Sequence, residues 1–298
     1  SSSNKEKVKN YEFFVDNSAP YINSDILGDF YEINGQKYSS GRARIQLIAF
    51  DNKAGVKDVF YTIHDSSAIK YIAPFYLTGF NGIKKISFYA IDKVGNKSQI
   101  TNKSDASLIP YLDLTGPDLD YKIIGNKTTI KGNEIISSST LIELIATDNE
   151  SGVQNKKYEI NGQVFDYKEP FSLEENGINN FKIIAYDNVN NRNEKEISLY
   201  LDKVPPKIYY TFDTDAVFND NSSDTTKTYP SFVKLFLSAT DDLVGIEKIE
   251  YLMNNVKNTY VKSITGFEKE KEYIIVLMAY DKMGNKTTQI LEFKTNNE

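Results

Sequence analysis

The chain has 298 residues, of which 40% are hydrophobic and 26% charged, a balance that suits a globular protein and, by length alone, about two domains. A formal net charge of -6 argues against a nucleic-acid partner, because duplex binding needs a basic face, and there is no apolar run of about 18 residues that would span a bilayer as a helix. The absence of cysteine excludes disulfides and thiolate metal sites, while 21 Tyr and 17 Phe without Trp lean towards β-structure.

The polar opening "SSSNKEKVKN" lacks an initiating Met and is expected to be a tether in a processed or trimmed product. The next segment, "YEFFVDNSAP", introduces a landmark that recurs twice as "LDLTGP" and "LDKVPP", placing Asp16, Asp113 and Asp202 four residues before Pro20, Pro117 and Pro206. Proline fixes φ and stiffens such junctions. From each proline, 31, 31 and 35 residues lead to an A-x-D step ending at Asp51, Asp148 and Asp241. A second A-x-D follows after 41, 39 and 40 residues, ending at Asp92, Asp187 and Asp281.

Reading back by twos from the first Asp gives Ala49, Leu47 and Ile45, then Ala146, Leu144 and Ile142, then Ala239, Leu237 and Leu235. The second Asp gives Ala90, Phe88 and Ile86, then Ala185, Ile183 and Phe181, then Ala279, Leu277 and Ile275. Period-two alternation predicts strands with one buried face, and a short carboxylate at the strand end suits a turn. Glycine follows at Gly55, Gly152 and Gly245, and again at Gly95 and Gly284, where the middle copy has Asn190. Asn is the best non-Gly occupant of a left-handed conformation, so the substitution indicates positive-φ turns rather than a ligand loop.

A Tyr falls six residues after the first Gly in each copy, at Tyr61, Tyr158 and Tyr251, and is expected to anchor the core. "APFYL" and "EPFSL" follow with Phe75 and Phe171, then Gly82 and Gly177; the third copy has Ile264 and Lys271 at these positions, so its middle turn should differ. Insertions fall at 101–106 and 213–230, both polar and loop-like.

About seven short strands per ~95-residue repeat is the pattern of an Ig-like β-sandwich. The expected fold is all-β, three tandem Ig-like β-sandwich domains forming an elongated rod. Residues 1–15 are a tether or the end of a preceding repeat, and the repeats span 16–114, 115–203 and 204–298. The motifs "IATDNESGVQNKKYEING", "PFSL" and "AYDKMGNKT" resemble the Ig-like repeat family of spirochaete outer-surface proteins, often labelled an outer-membrane-protein β-barrel-type domain. The resemblance covers nearly all of residues 16–298 and implies a secreted, periplasmic or surface-displayed protein serving as a stalk, adhesion module or enzyme appendage. Polar residues at outward mid-strand positions, Gln46, Glu143 and Lys182, suit a water-facing sandwich rather than a membrane barrel.

Catalytic signals are weak. His64 is the only histidine and stands where the other copies have Asn161 and Asn254, which reads as a turn; no G-x-S-x-G or H-E-x-x-H motif occurs. The repeated carboxylates read as turn formers, since a catalytic pair should not appear three times. No cofactor is expected. Calcium is the rival use of the acids, with Asp16, Asp113 and Asp202 joined by Asp118, Asp120, Asp213 or Asp215. Carbohydrate is the rival partner, through aromatics of "YEFF", "FYL" or "IYYTF", and the loop 213–230 is the candidate contact surface. The function expected is a non-enzymatic bacterial envelope or surface protein that binds protein partners such as host matrix; the alternative is an accessory carbohydrate-binding or spacer array of an envelope carbohydrate-active enzyme.

Overall fold

The computed structural model describes residues 6–64, 66–98, 107–217 and 226–298. The insertion at 101–106 and the central part of the 213–230 loop lie outside the described residues. Among the described residues every regular element is a strand.

Each repeat opens with a strand that pairs with the strand carrying the first A-x-D step. Tyr21–Leu27 lies antiparallel to Arg44–Phe50, Asp118–Ile124 pairs with Leu141–Thr147, and Lys207–Phe212 lies antiparallel to Leu235–Thr240. The opposing sheet centres on the strand carrying the second step. In the first repeat Ile86–Asp92 pairs with Val56–Ile63, and in the third Glu272–Asp281 lies between Ile246–Met253 and Lys286–Thr295. The second repeat gathers six strands, with Gly177–Asp187 flanked by Val153–Ile160 and Arg192–Asp202.

The last strand of each repeat also takes a parallel neighbour from near the start of that repeat. Pro110–Asp113 runs parallel to Gln36–Ser40, Arg192–Asp202 to Asn133–Ser137, and Lys286–Thr295 to Thr228–Tyr229. Antiparallel faces closed by one long-range parallel pairing make these tandem Ig-like β-sandwiches.

The inward residues match the alternation. Ile45, Leu47, Ile142, Leu144, Leu235 and Leu237 are buried, as are Ile86, Phe88, Phe181, Ile183, Ile275 and Leu277. Ala90, Ala185 and Ala279 are fully buried, whereas Ala49, Ala146 and Ala239 are half-buried near the sandwich end. The anchoring tyrosines are half-buried and work through stacking: Tyr61 lies 3.9 Å from Phe75 and Tyr158 4.1 Å from Phe171, ring centre to ring centre. The third repeat, with Ile264 in that place, builds its aromatic core differently, around Phe293 and its ring contacts with Phe212, Tyr229, Phe267 and Tyr273.

By backbone proximity the chain divides into two compact units. One comprises Ser1–Leu119, Ala146–Lys157 and Ile184–Glu194; the other comprises Asp120–Ile145, Tyr158–Ile183 and Lys195–Glu298.

Candidate functional site

The first A-x-D carboxylate closes its own turn. Asp51 Oδ1 accepts from the amides of Lys53 at 3.1 Å and Gly55 at 2.6 Å, and Asp148 Oδ1 accepts from Glu150 at 3.2 Å and Gly152 at 2.7 Å. Asp241 Oδ1 takes three amides, from Leu243, Val244 and Gly245, at 3.0, 2.8 and 3.0 Å. Gly55, Gly152 and Gly245 all have positive φ.

The second carboxylate does more. Asp92 Oδ1 accepts from Val94 and Asn96, Asp187 Oδ1 from Val189 and Asn191, and Asp281 Oδ1 from Met283 and Asn285. The other oxygen accepts from the side-chain amide of Asn96, Asn191 or Asn285, at 2.7, 2.7 and 2.8 Å. Asn190 holds φ 62, where Gly95 and Gly284 hold 101 and 88, so a left-handed residue is common to all three turns.

That same asparagine Nδ2 reaches the preceding junction, donating to the main-chain carbonyl of Asp16 at 2.9 Å, Asp113 at 3.0 Å and Asp202 at 3.1 Å. One side chain thus ties the turn carboxylate to the linker entering the repeat. The sequence signal was present in "DKVGN", "DNVNN" and "DKMGN", an Asn four residues after each second Asp, but the sequence reading passed over it.

The junction carboxylates turn into the same place. Asp16, Asp51 and Asp92 each offer an oxygen within 4.8 Å of the others, and so do Asp113, Asp148 and Asp187. This corrects the expected calcium set: the junction acids are joined by the A-x-D acids rather than by their near neighbours in sequence. Asp120 pairs instead with Lys195 at 3.0 Å, and Asp213 accepts from the amide of Lys234 at 2.8 Å. The near neighbours lie elsewhere: Asp113 ends the strand Pro110–Asp113, whereas Asp118 and Asp120 belong to the following strand Asp118–Ile124, and Asp213 stands beyond the end of Lys207–Phe212.

The third trio, Asp202, Asp241 and Asp281, is not gathered within that distance, and it differs in one bond. Asp16 Oδ2 accepts from the amide of Ala54, and Asp113 Oδ2 from that of Ser151. The equivalent amide in the third repeat, that of Val244, is taken by Asp241. Asp202 Oδ1 keeps the Val204 amide, while Oδ2 has no donor although the residue is only 1% exposed.

Electrostatics follow the crowding. Burial pushes Asp187 up to about 6, with Asp113 adding to the rise against the opposing bonds from Asn191 and Val189. Asp148 is raised by burial and by Asp113, and Asp202 by burial and by Asp281 and Asp241. Asp92 goes the other way: burial raises it, but the donors of Asn96, Gly95 and Val94 together outweigh that and hold it below the usual range. Oxygen-only donors without His or Cys suit a hard divalent cation of the calcium type, which takes carboxylates and carbonyls in flexible geometry.

The other sequence candidates are dispersed. His64 is exposed in a turn with φ 54, matching Asn161 at 51 and Asn254 at 52. Phe75 is consumed by stacking on Tyr61, and Ile208 and Phe212 pack on the third core; on that strand Tyr209 faces outward, and Tyr210, on the face of Ile208 and Phe212, meets the Phe212 ring while staying partly exposed. No helix among the described residues is long and apolar enough to cross a membrane.

No protein-family model and no curated protein matches the chain. Among solved structures it is similar to a 1.5-MDa bacterial ice-binding adhesin at 11% identity and TM-score 0.37, covering 95% of this chain and 100% of that one. It is also similar to a Ca2+-stabilized ice-binding adhesin of an Antarctic bacterium at 12% identity and TM-score 0.35, over 94% of this chain and 74% of that one. A tetra-tandem repeat from the extending region of a large adhesion protein matches at 15% identity and TM-score 0.31, over 94% and 75% of the two chains.

Proposed function

We infer that this chain is a non-enzymatic stalk of a bacterial envelope or surface protein, of the Ig-like repeat kind seen in spirochaete outer-surface proteins. It holds a binding surface for a protein partner at a fixed place along a series of repeats spanning 16–114, 115–203 and 204–298. The observation that carries the reading is the asparagine clamp, present at all three junctions, which bonds the entering linker to a buried turn carboxylate. Such a device fixes how one repeat follows another, a need of a presenting stalk more than of an isolated binding domain. The carboxylate sets beside the clamp hold Ca²⁺; the support for this is the gathering of three carboxylate oxygens at each of the first two junctions and, at the third, the buried Asp202 oxygen that lacks a donor, since a buried carboxylate without a partner is costly unless a cation or a proton satisfies it.

The test is saturable binding of the whole chain to a panel of matrix proteins, glycans and envelope extracts, with Ca²⁺ and with chelator. Saturable binding of one protein class, strengthened by Ca²⁺, is the expected result. Binding of glycans alone makes the chain an accessory carbohydrate module, and absence of binding throughout the panel makes it a spacer; either outcome overturns the protein-binding reading.

A further inference from the structure

The residues before each junction Asp repeat at offsets of one, three and five. Before Asp113 they are Leu112, Pro110 and Leu108, and before Asp202 they are Leu201, Leu199 and Ile197; all six are buried. Leu108 lies on the short edge strand Ser107–Leu108, beside Ile86–Asp92, and the other five belong to last strands, which close their own sandwiches by pairing on both sides. Before Asp16 the same offsets hold Val15, Phe13 and Tyr11, an apolar set of the same spacing that is 73%, 84% and 71% exposed. Residues 6–20 form no strand, yet Asp16 is already seated: its main-chain carbonyl accepts from Asn96 and its Oδ2 from Ala54, as a junction Asp does.

A second surface shows the same incompleteness. Two residues after the second A-x-D, Val189 is fully buried and its carbonyl accepts from Arg42 of the preceding repeat at 2.9 Å. The equivalent Met283 is buried in a cluster with Ile135, again from the preceding repeat, and Val244. Val94 at this position is 63% exposed and borders a shallow cleft with Phe14, Val15, Lys53 and Ala54. Thus the positions that meet a preceding repeat elsewhere are bare in the first repeat.

We propose that residues 11–16 are the last strand of one further Ig-like sandwich of the same kind, whose other strands precede them in the same polypeptide and whose end covers Val94. A second copy of this chain does not fit the strand, because each of its three sandwiches already contains its own last strand. The recurrence of one parallel pairing and one covered turn residue at the two later junctions supplies the pattern for the first.

The test compares this chain with the same polypeptide extended upstream by one repeat length, 93 to 97 residues by the spacing of the existing copies. The added sequence should carry two A-x-D steps about 40 residues apart, as the present repeats do. Amide hydrogen exchange at 11–16 should be fast in the present chain and slow by about 100-fold or more in the extended one, as expected when a frayed segment joins a sheet. Phe13→Asp should leave the melting of the present chain unchanged and abolish the protection gained in the extended chain. Equal exchange in both chains, or upstream residues without the A-x-D pair, overturns the proposal. Protection of 11–16 in the present chain together with a dimer by sedimentation also overturns it, by assigning the strand to a second copy.

Discussion

Asn191 shows how much one polar side chain can fix. It is buried, and its amide nitrogen is shared between the Asp187 carboxylate and the Asp113 carbonyl. Asn191→Ala removes both bonds and leaves buried acceptors unmet, so a loss of about 1–3 kcal/mol in denaturant unfolding is expected, with the first unit the less stable part. A change below a few tenths of a kcal/mol would show that the clamp is ornamental. Glu250 gives a residue-scale prediction in pH. Lys257 and Lys248, at 2.6 and 3.0 Å, hold its pKa at about 2, below the unfolded value. A lowered carboxylate contributes stability above the unfolded pKa and loses it as pH falls through the folded one. Wild type should therefore melt above Glu250→Gln near neutral pH, and the two should converge between about pH 4.5 and pH 2; parallel curves across that window would refute the pairing. At this scale the turn residues were legible in sequence, because an Asx turn is made within five residues of chain. The donorless Asp202 was not, since its lost bond depends on where the amide of Val244 points.

At the scale of elements, alternation explains the sheets. Period-two burial in the strands ending at Asp92, Asp187 and Asp281 follows from side chains projecting to alternate faces, so the core could be read residue by residue. The aromatic contacts could be read only in part. Tyr61 and Phe75 are 14 residues apart and Tyr158 and Phe171 are 13 apart, and both pairs stack. In the third repeat the central ring is Phe293, which meets rings from four separate segments, and no local pattern announces that convergence. Phe293→Ala should cost about 3–5 kcal/mol, the range for deleting a fully buried aromatic. Calorimetry should show the loss in the second unit with the first unchanged; a loss under 1 kcal/mol would mean the cavity collapses.

For the whole molecule, the carboxylate sets predict a dependence on divalent cation. Ca²⁺ at about 100 times its dissociation constant should add about 2.7 kcal/mol per site to the folded state, and chelator should remove it. Asp202→Asn sharpens the test. In chelator the variant should melt at or above wild type, because it removes a buried charge facing Asp241 and Asp281. In millimolar Ca²⁺ wild type should melt higher, and identical melting with and without Ca²⁺ would refute the cation reading. The sequence by itself determined the class of element and the face each strand buries, because these follow from alternation and turn chemistry within a few residues. Only the tertiary structure decided that Asp16 and Asp113 meet the A-x-D acids of their repeats and that an asparagine clamps each junction. Those contacts join residues roughly 35 to 80 positions apart, as with the amide of Ala54 on Asp16 and the side chain of Asn96 on its carbonyl, and the closing of each sandwich brings them together.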